Sequence, residues 1–157
     1  MLFRSALART GDYEAASAAV YALGQVVGGE AQATLVQLAQ VGDTRIRALA
    51  VQNLQPQDAA TIKLLTDMVK AGDPQVLAAA VGALGRSGDP AVLPVLVSAA
   101  TAGPQHARWS AVTAIGEIGG ADAVAALGEI LRKGDRNLAG QVAQVLVNLG
   151  GDDARDV

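Results

Sequence analysis

The sequence predicts an all-α fold, an α-solenoid of about five antiparallel helix pairs. The main observation is a glycine-led turn that returns every thirty or thirty-one residues along the 157-residue chain. Each turn opens a run of apolar residues at helical spacing, and no stretch alternates between apolar and polar residues as a strand would. A period of this length is typical of solenoids, in which each helix pair buries its apolar face against its neighbours. The five turns are Gly11-Asp12, Gly42-Asp43, Gly72-Asp73, Gly103-Pro104 and Gly134-Asp135.

The second helix of each pair becomes visible when the repeats are aligned on these glycines, taken as position one. Positions five, nine, ten and thirteen are apolar in every repeat, and this spacing lies on one side of a helix. Position nine is alanine in four of the five repeats, so neighbouring helices are expected to approach closely. Position nine holds Ala19, Ala50, Ala80, Ala111 and Val142, and position thirteen holds Leu23, Leu54, Leu84, Ile115 and Leu146.

The first helices of the pairs are expected at 2–9, 30–40, 58–70, 90–100 and 122–133. Two of the start signals are Asp73-Pro74 and Asp89-Pro90, in which an N-cap acceptor precedes a proline at the first helical residue. The stop signals are glycines that follow the leucine column. They are Gly24, Gly85 and Gly116, with Gly28, Gly88, Gly119 and Gly150 nearby.

We expect one repeat domain over residues 1–151, followed by an acidic C-terminal tail over 152–157. The last helix carries a polar stripe typical of a cap that closes a repeat array. This stripe favours a self-sufficient array, and a fragment of a larger protein is the alternative. The stripe is Asn137, Gln141, Gln144 and Asn148, and the helix pairs are expected at about 1–28, 29–56, 57–88, 89–119 and 120–150.

Composition argues against several classes of function. The chain has no cysteine and a single histidine, His106, so disulfides, thiol nucleophiles, a metal site and a Ser-His-Asp arrangement are not expected. Outside the tail, eleven basic residues stand against twelve acidic ones, and a body so close to neutral argues against nucleic acid as a partner. No segment has the roughly 18 consecutive apolar residues of a membrane span. We therefore expect no cofactor, no membrane insertion and a cytoplasmic location.

Several motifs connect this chain to a known family. They are the helix Ala123-Val124-x-x-Leu127, the Gly-Asp turns, the pairs Ile46-Arg47 and Ala107-Arg108, and the Ala-Leu-Gly endings. In these features the chain resembles the HEAT repeats, and most closely the bacterial subgroup called PBS-lyase HEAT-like repeats. The resemblance covers nearly the whole chain and implies a superhelix whose second helices line the concave side. It also implies a ladder of turn aspartates and arginines bracing neighbouring repeats, here Asp43, Arg47, Asp73 and Arg108.

Positions four, seven, eleven and fifteen of the second helices share a face outside the apolar stripe. This face mixes both charge signs and has small residues near its middle, at Ala78 and Gly82. Its most informative member is Trp109, whose column otherwise holds small residues; it is either a binding anchor or a cover over a gap between repeats. With the adjoining Tyr13, the candidate partner-binding residues are Tyr13, Glu14, Tyr21, Arg45, Gln52, Gln75, His106, Trp109, Thr113, Asn137 and Gln144.

Three functions are compatible with this pattern. The leading hypothesis is a non-enzymatic scaffold that binds a protein or peptide on the concave face, with no residue assigned a catalytic role. The second, implied by the resemblance alone, is a phycobilin lyase subunit or related chromophore-handling protein with a tetrapyrrole pocket. The third is a structural module of a larger multi-domain protein. Exposed repeat ends would also give self-association.

Overall fold

The structure is a computed structural model that describes residues 13–26, 29–133 and 136–153. Within these ranges the chain is largely helical and contains no strand. The helix expected at 2–9 lies outside the described residues, as do the turns Gly11-Asp12 and Gly134-Asp135. The helices are α1 (Tyr13–Gln25), α2 (Gly29–Val41), α3 (Thr44–Asn53), α4 (Ala59–Ala71), α5 (Leu77–Gly85), a short 3-10 helix (Pro90–Val92), α6 (Leu93–Ala102), α7 (Gln105–Ile118), α8 (Gly120–Arg132) and α9 (Arg136–Asp153).

The first compact unit, Met1–Gln55, contains α1, α2 and α3. Each of these helices contacts the other two. The core consists of aliphatic side chains, of which Val20, Leu35 and Val51 have no exposed surface. The side-chain carbonyl of Gln32 accepts the backbone N–H of Gln55 at 3.0 Å, so the end of this unit is held against α2.

The second compact unit, Pro56–Val157, contains α4 to α9. The second helices form one layer, in which α5 packs on α7 and α7 on α9, while the first helices form another, in which α4 contacts α6 and α6 contacts α8. The core side chains of Leu84, Ile115 and Leu127 are fully buried. Successive helix pairs therefore pack on their immediate neighbours, which is the stacking of an α-solenoid and confirms the predicted fold class.

Aspartates cap the N-termini of α3 and α4. Asp43 Oδ1 accepts the backbone N–H groups of Arg45 at 3.0 Å and Ile46 at 3.1 Å, at the start of α3. Asp58 caps α4, where the Thr61 hydroxyl donates to it at 2.7 Å and the Thr61 N–H at 2.9 Å. Because both bonds favour the ionised carboxylate, they hold the pKa of Asp58 below its ordinary value.

Only one of the two Asp-Pro pairs begins a helix directly. Pro90 opens the 3-10 helix that leads into α6, and Asp89 caps it, as predicted. The prediction for Asp73-Pro74 is wrong, because residues 74–76 form a turn and α5 begins at Leu77. The carboxylate of Asp73 accepts the N–H two residues on at 3.0 Å, so it closes this turn rather than capping the helix.

The glycines after or near the end of the leucine column are predicted to stop their helices, and this is wrong for three of them, while Gly28 lies outside the described residues. Gly24 is followed by a further residue of α1, Gly116 lies inside α7 and Gly150 lies inside α9. Gly85 is the last residue of α5 and Gly119 is the C-cap of α7, so the prediction is confirmed at these two positions. Among the described residues, the left-handed backbone that favours glycine occurs at Gly72, Gly88, Gly119 and Gly120.

The glycines at position fourteen, Gly24, Gly85 and Gly116, allow close approach between second helices. A Cβ atom added to Gly85 would lie 2.7 Å from the Cα and Cβ atoms of Ala114. One added to Gly116 would lie 2.5 Å from Cγ1 of Val145, and one added to Gly24 would strike an asparagine side chain of α3. The facing residue is twenty-nine positions further along each time, so the same contact recurs between successive second helices.

Two repeats have no glycine at this position, the second, with Gln55, and the last. Position fourteen of α9 is Val147 rather than glycine, and it is 69% exposed. The helix continues through Asp153, so the first two residues of the expected acidic tail are helical. The remainder of the tail lies outside the described residues.

Candidate partner-binding surface

The candidate residues of the first unit lie on exposed parts of α1 and α3. Tyr13 and Tyr21 are both about half exposed, and Glu14 and Gln52 are exposed. The guanidinium carbon of Arg45 lies 5.5 Å from the centroid of the Tyr13 ring, within the range of a cation–π contact. The fold therefore brings Tyr13 and Arg45 together from two successive second helices.

Several candidate residues of the second unit are exposed polar side chains. Gln75 lies in the turn before α5, His106 in the first turn of α7 and Asn137 in the first turn of α9. Further along α9, the amide nitrogen of Gln144 donates to the side-chain oxygen of Asn148 at 3.2 Å. No group of three or more potential metal ligands occurs among the residues that the structure describes.

A hydrogen-bonded cluster joins α7 and α9 at Trp109. The Thr113 hydroxyl donates to the Trp109 carbonyl oxygen at 3.2 Å. The side-chain nitrogen of Gln141 donates to the same carbonyl at 3.0 Å and to the Thr113 hydroxyl oxygen at 3.1 Å. Two candidate residues, Trp109 and Thr113, are thus linked by a residue of the next second helix.

A pocket of about 310 Å³ lies beside this cluster, and we call it the Trp109 pocket. Trp109 lines this pocket and is 51% exposed. A Cβ atom added to Gly82 would meet nothing within 4 Å, which leaves the α5 side of the pocket open. The pocket is lined by Gly82, Trp109, Ser110, Thr113, Ala114, Glu117 and Gln141.

Three polar residues of this pocket, Ser110, Glu117 and Gln141, are not among the candidate partner-binding residues. Glu117 occupies position fifteen of the face predicted from the sequence, and its carboxylate reaches across to α5, where a Cβ atom on Gly85 would lie 2.8 Å from Oε2. Gln141 was interpreted only as part of the polar cap stripe. Its position in the repeat could have indicated a specific role, because position eight holds small or apolar residues in the other four repeats. These are Ala18, Leu49, Ala79 and Ser110.

The two arginines of the expected ladder bond within their own helix pairs. Arg47 Nε donates to the carbonyl oxygen of Ala39 at 3.2 Å, and Arg108 Nε donates to that of Ala100 at 2.9 Å. Each arginine lies near the start of a second helix and reaches the end of the first helix eight residues earlier. These bonds brace the turn inside each pair, while bracing between repeats by the turn aspartates stays a prediction.

Another cavity, of about 670 Å³, is lined mainly by apolar residues of α4 and α6. Val69, Pro94 and Ala99 are among its walls. None of the candidate partner-binding residues lines this cavity, so it is separate from the Trp109 pocket.

Comparison with protein families gives two adjoining matches. Residues 43–108 match a family model described as HEAT repeats, and residues 107–133 match one described as PBS lyase HEAT-like repeat. Together they cover 43–133, more than half of the 157 residues. The comparison with curated proteins gives no match. None of the helices within the described ranges has the length and apolar character of a membrane span.

Proposed function

The chain belongs to the HEAT-repeat family, and we propose on that premise that it is a non-enzymatic scaffold that binds a protein or peptide partner. The binding residues would be the exposed polar and aromatic side chains of the second helices. The observation that carries this proposal is Trp109, which is half exposed beside a pocket with polar walls. Exposed aromatic residues next to polar groups are frequent anchors of protein interfaces.

The chemistry of the candidate residues supports a partner over a substrate. Trp109 in the second unit and Tyr13 and Tyr21 in the first offer large amphipathic surfaces, and the candidate polar residues include amides, a hydroxyl and charges of both signs. Such a mixture is typical of protein interfaces, whereas catalysis requires a nucleophile or an acid–base pair held in place by a third group. The single histidine, His106, is exposed at the start of α7.

Partner capture with two surface variants tests this proposal. One variant carries Trp109→Ala with Thr113→Ala in the second unit, and the other carries Tyr13→Ala with Tyr21→Ala in the first. The matched control is Lys63→Ala with Asp67→Ala, which removes an exposed ion pair from α4. We expect the control to retain the proteins that the wild type captures and at least one surface variant to lose them, with circular dichroism unchanged.

Retention of every captured protein by both surface variants would contradict the proposal. A loss that also occurs in the α4 control would contradict it as well, because a surface-specific contact would not respond to that change.

A chromophore-handling role is the second candidate, favoured by the match of residues 107–133 to the PBS lyase HEAT-like repeat. That stretch includes Trp109 and Glu117 of the Trp109 pocket. Titration of the protein with the open-chain tetrapyrrole biliverdin tests it. Binding in a protein site would shift and sharpen the visible absorption of the pigment, and an unchanged spectrum would exclude this candidate.

A further inference from the structure

We propose that the Trp109 pocket binds the guanidinium group of an arginine side chain presented by the partner. This inference rests on the proposed function, since it assigns a specific contact to the partner-binding surface. The geometry points to a cation because the residues that line the pocket include Glu117 with its carboxylate, Gln141 with an amide oxygen that lacks a donor, and Trp109 with its indole ring. Neither Lys nor Arg is among the residues that line it.

The carboxylate is that of Glu117, on the last turns of α7. Its oxygen lies against α5 beside Gly85, where the absence of a side chain leaves room for it. No ion pair joins Glu117 to another residue in the part of the chain that the structure describes. An uncompensated carboxylate at the edge of a pocket attracts a cation, and guanidinium is the side-chain cation that matches its two oxygens geometrically.

The unpaired acceptor is the side-chain oxygen of Gln141. Its amide nitrogen donates to the Trp109 carbonyl, which can only accept, so the orientation of the amide is determined. The amide oxygen is buried and has no hydrogen-bond donor among the described residues. A buried carbonyl without a donor is costly, and a small shift of the Gln141 side chain would bring this oxygen to an N–H group in the pocket and relieve that cost.

The indole of Trp109 provides the third element. Tryptophan has the most favourable ring for a cation–π contact, and the planar guanidinium can stack on it while its N–H groups point sideways to hydrogen-bond acceptors. A lysine ammonium would make the electrostatic contact without stacking, so arginine fits this set of groups better than lysine does.

The direct test is a calorimetric titration of the full chain with two short peptides. One peptide is acetyl-Gly-Arg-Gly-Arg-Gly-amide, and the other carries citrulline in place of each arginine, which keeps the shape and removes the charge. We expect the arginine peptide to bind about tenfold more tightly than the citrulline peptide, because charge-assisted hydrogen bonds are about twice as strong as neutral ones. Trp109 is the only tryptophan, so its fluorescence should change with the same dissociation constant.

Two substitutions locate the site without disturbing the fold. Glu117→Gln keeps the shape of the side chain and should remove most of the preference for arginine over citrulline, together with its salt dependence. Gly82→Leu should fill the pocket from α5, because there is space at that position and leucine favours a helix. The matched control is Gly128→Leu, at another helical glycine with equal space but outside the pocket.

We expect Gly82→Leu to abolish the peptide response without lowering the melting temperature, and Gly128→Leu to bind as the wild type does. Equal affinity for the two peptides, no measurable binding of either at millimolar concentration, or wild-type binding by Gly82→Leu would each overturn the inference. If Trp109→Ala loses the captured partner while Glu117→Gln and Gly82→Leu retain it, the arginine inference fails and the proposed function stands.

Discussion

At the scale of single residues, Gly72 and Gly82 differ in the backbone conformation that each adopts. Gly72 ends α4 with φ at +69°, and its N–H donates to the carbonyl oxygens of Met68 and Val69. Gly82 lies within α5 and has no positive φ. In both cases a Cβ atom would meet nothing within 4 Å, so only the backbone conformation distinguishes the two positions.

The same substitution should therefore have opposite effects at these two glycines. Gly72→Ala forces an L-residue into the left-handed region and should lower the free energy of unfolding by about 1 kcal/mol. Gly82→Ala should raise it by about 0.5–1 kcal/mol, because alanine loses less backbone entropy in a helix. Urea denaturation followed by circular dichroism measures both, and equal signs would contradict the explanation.

At the scale of helices, the packing of second helices depends on the glycines at position fourteen. Gly85 faces the Cα and Cβ atoms of Ala114, which cannot move without moving α7. Gly116 faces Cγ1 of Val145, which is the end of a side chain and can rotate away. The two contacts occupy equivalent positions in the repeat, but the Val145 side chain can move aside more easily than Ala114 can.

We predict that Gly85→Ala destabilises the protein by about 1–3 kcal/mol through overpacking, although alanine favours the helix. Gly116→Ala should cost less, because one rotamer change makes room for it. Gly82→Ala, on the same helix as Gly85, is the internal control for helix propensity. A stabilising effect of Gly85→Ala would show that the helices are not in close contact there.

The turn inside a helix pair depends on its arginine. Arg108 is half-buried and bonds the Ala100 carbonyl at 2.9 Å, whereas Arg132 bonds the Gly128 carbonyl from an exposed position at 3.4 Å. Arg108→Met keeps the aliphatic stem and should lower the free energy of unfolding by about 1–2 kcal/mol. Arg132→Met should change it by at most about 0.5 kcal/mol. Similar losses in chemical denaturation of the two variants would mean that the bond of Arg108 contributes little.

At the scale of the whole molecule, the chain consists of two compact units that meet in sequence between Gln55 and Pro56. The only tryptophan, Trp109, is in the second unit, so fluorescence reports on that unit while circular dichroism reports on both. Repeat arrays are stabilised by contacts between nearest neighbours, and a core substitution acts most strongly on its own neighbourhood.

We predict that Leu84→Ala lowers the midpoint of the Trp109 fluorescence transition, at a cost of about 2–5 kcal/mol in the second unit. Leu35→Ala, at an equally buried site in the first unit, should lower the circular dichroism transition and shift the fluorescence transition much less. Identical shifts of the two signals in both variants would show that the whole chain unfolds as one cooperative unit.

Much of this architecture was predictable from the sequence, because helix periodicity and capping act within a few residues. The thirty-residue period and the apolar columns predict the helices, and Asp89 caps the 3-10 helix before α6 as its place before Pro90 predicts.

Tertiary packing was needed to identify the close helix contact at Gly85 and the place of Glu117 and Gln141 in the pocket. A glycine after a leucine has the same sequence signature whether it turns the backbone or admits another helix, and only the facing Ala114 distinguishes the two. Glu117 and Gln141 reach one pocket because α7 lies between α5 and α9, which are separated by about sixty residues of sequence. The physical reason is the distance along the sequence over which the interactions act. Hydrogen bonds and rotamers inside a helix depend on residues three or four positions apart, whereas a pocket depends on which helices stack.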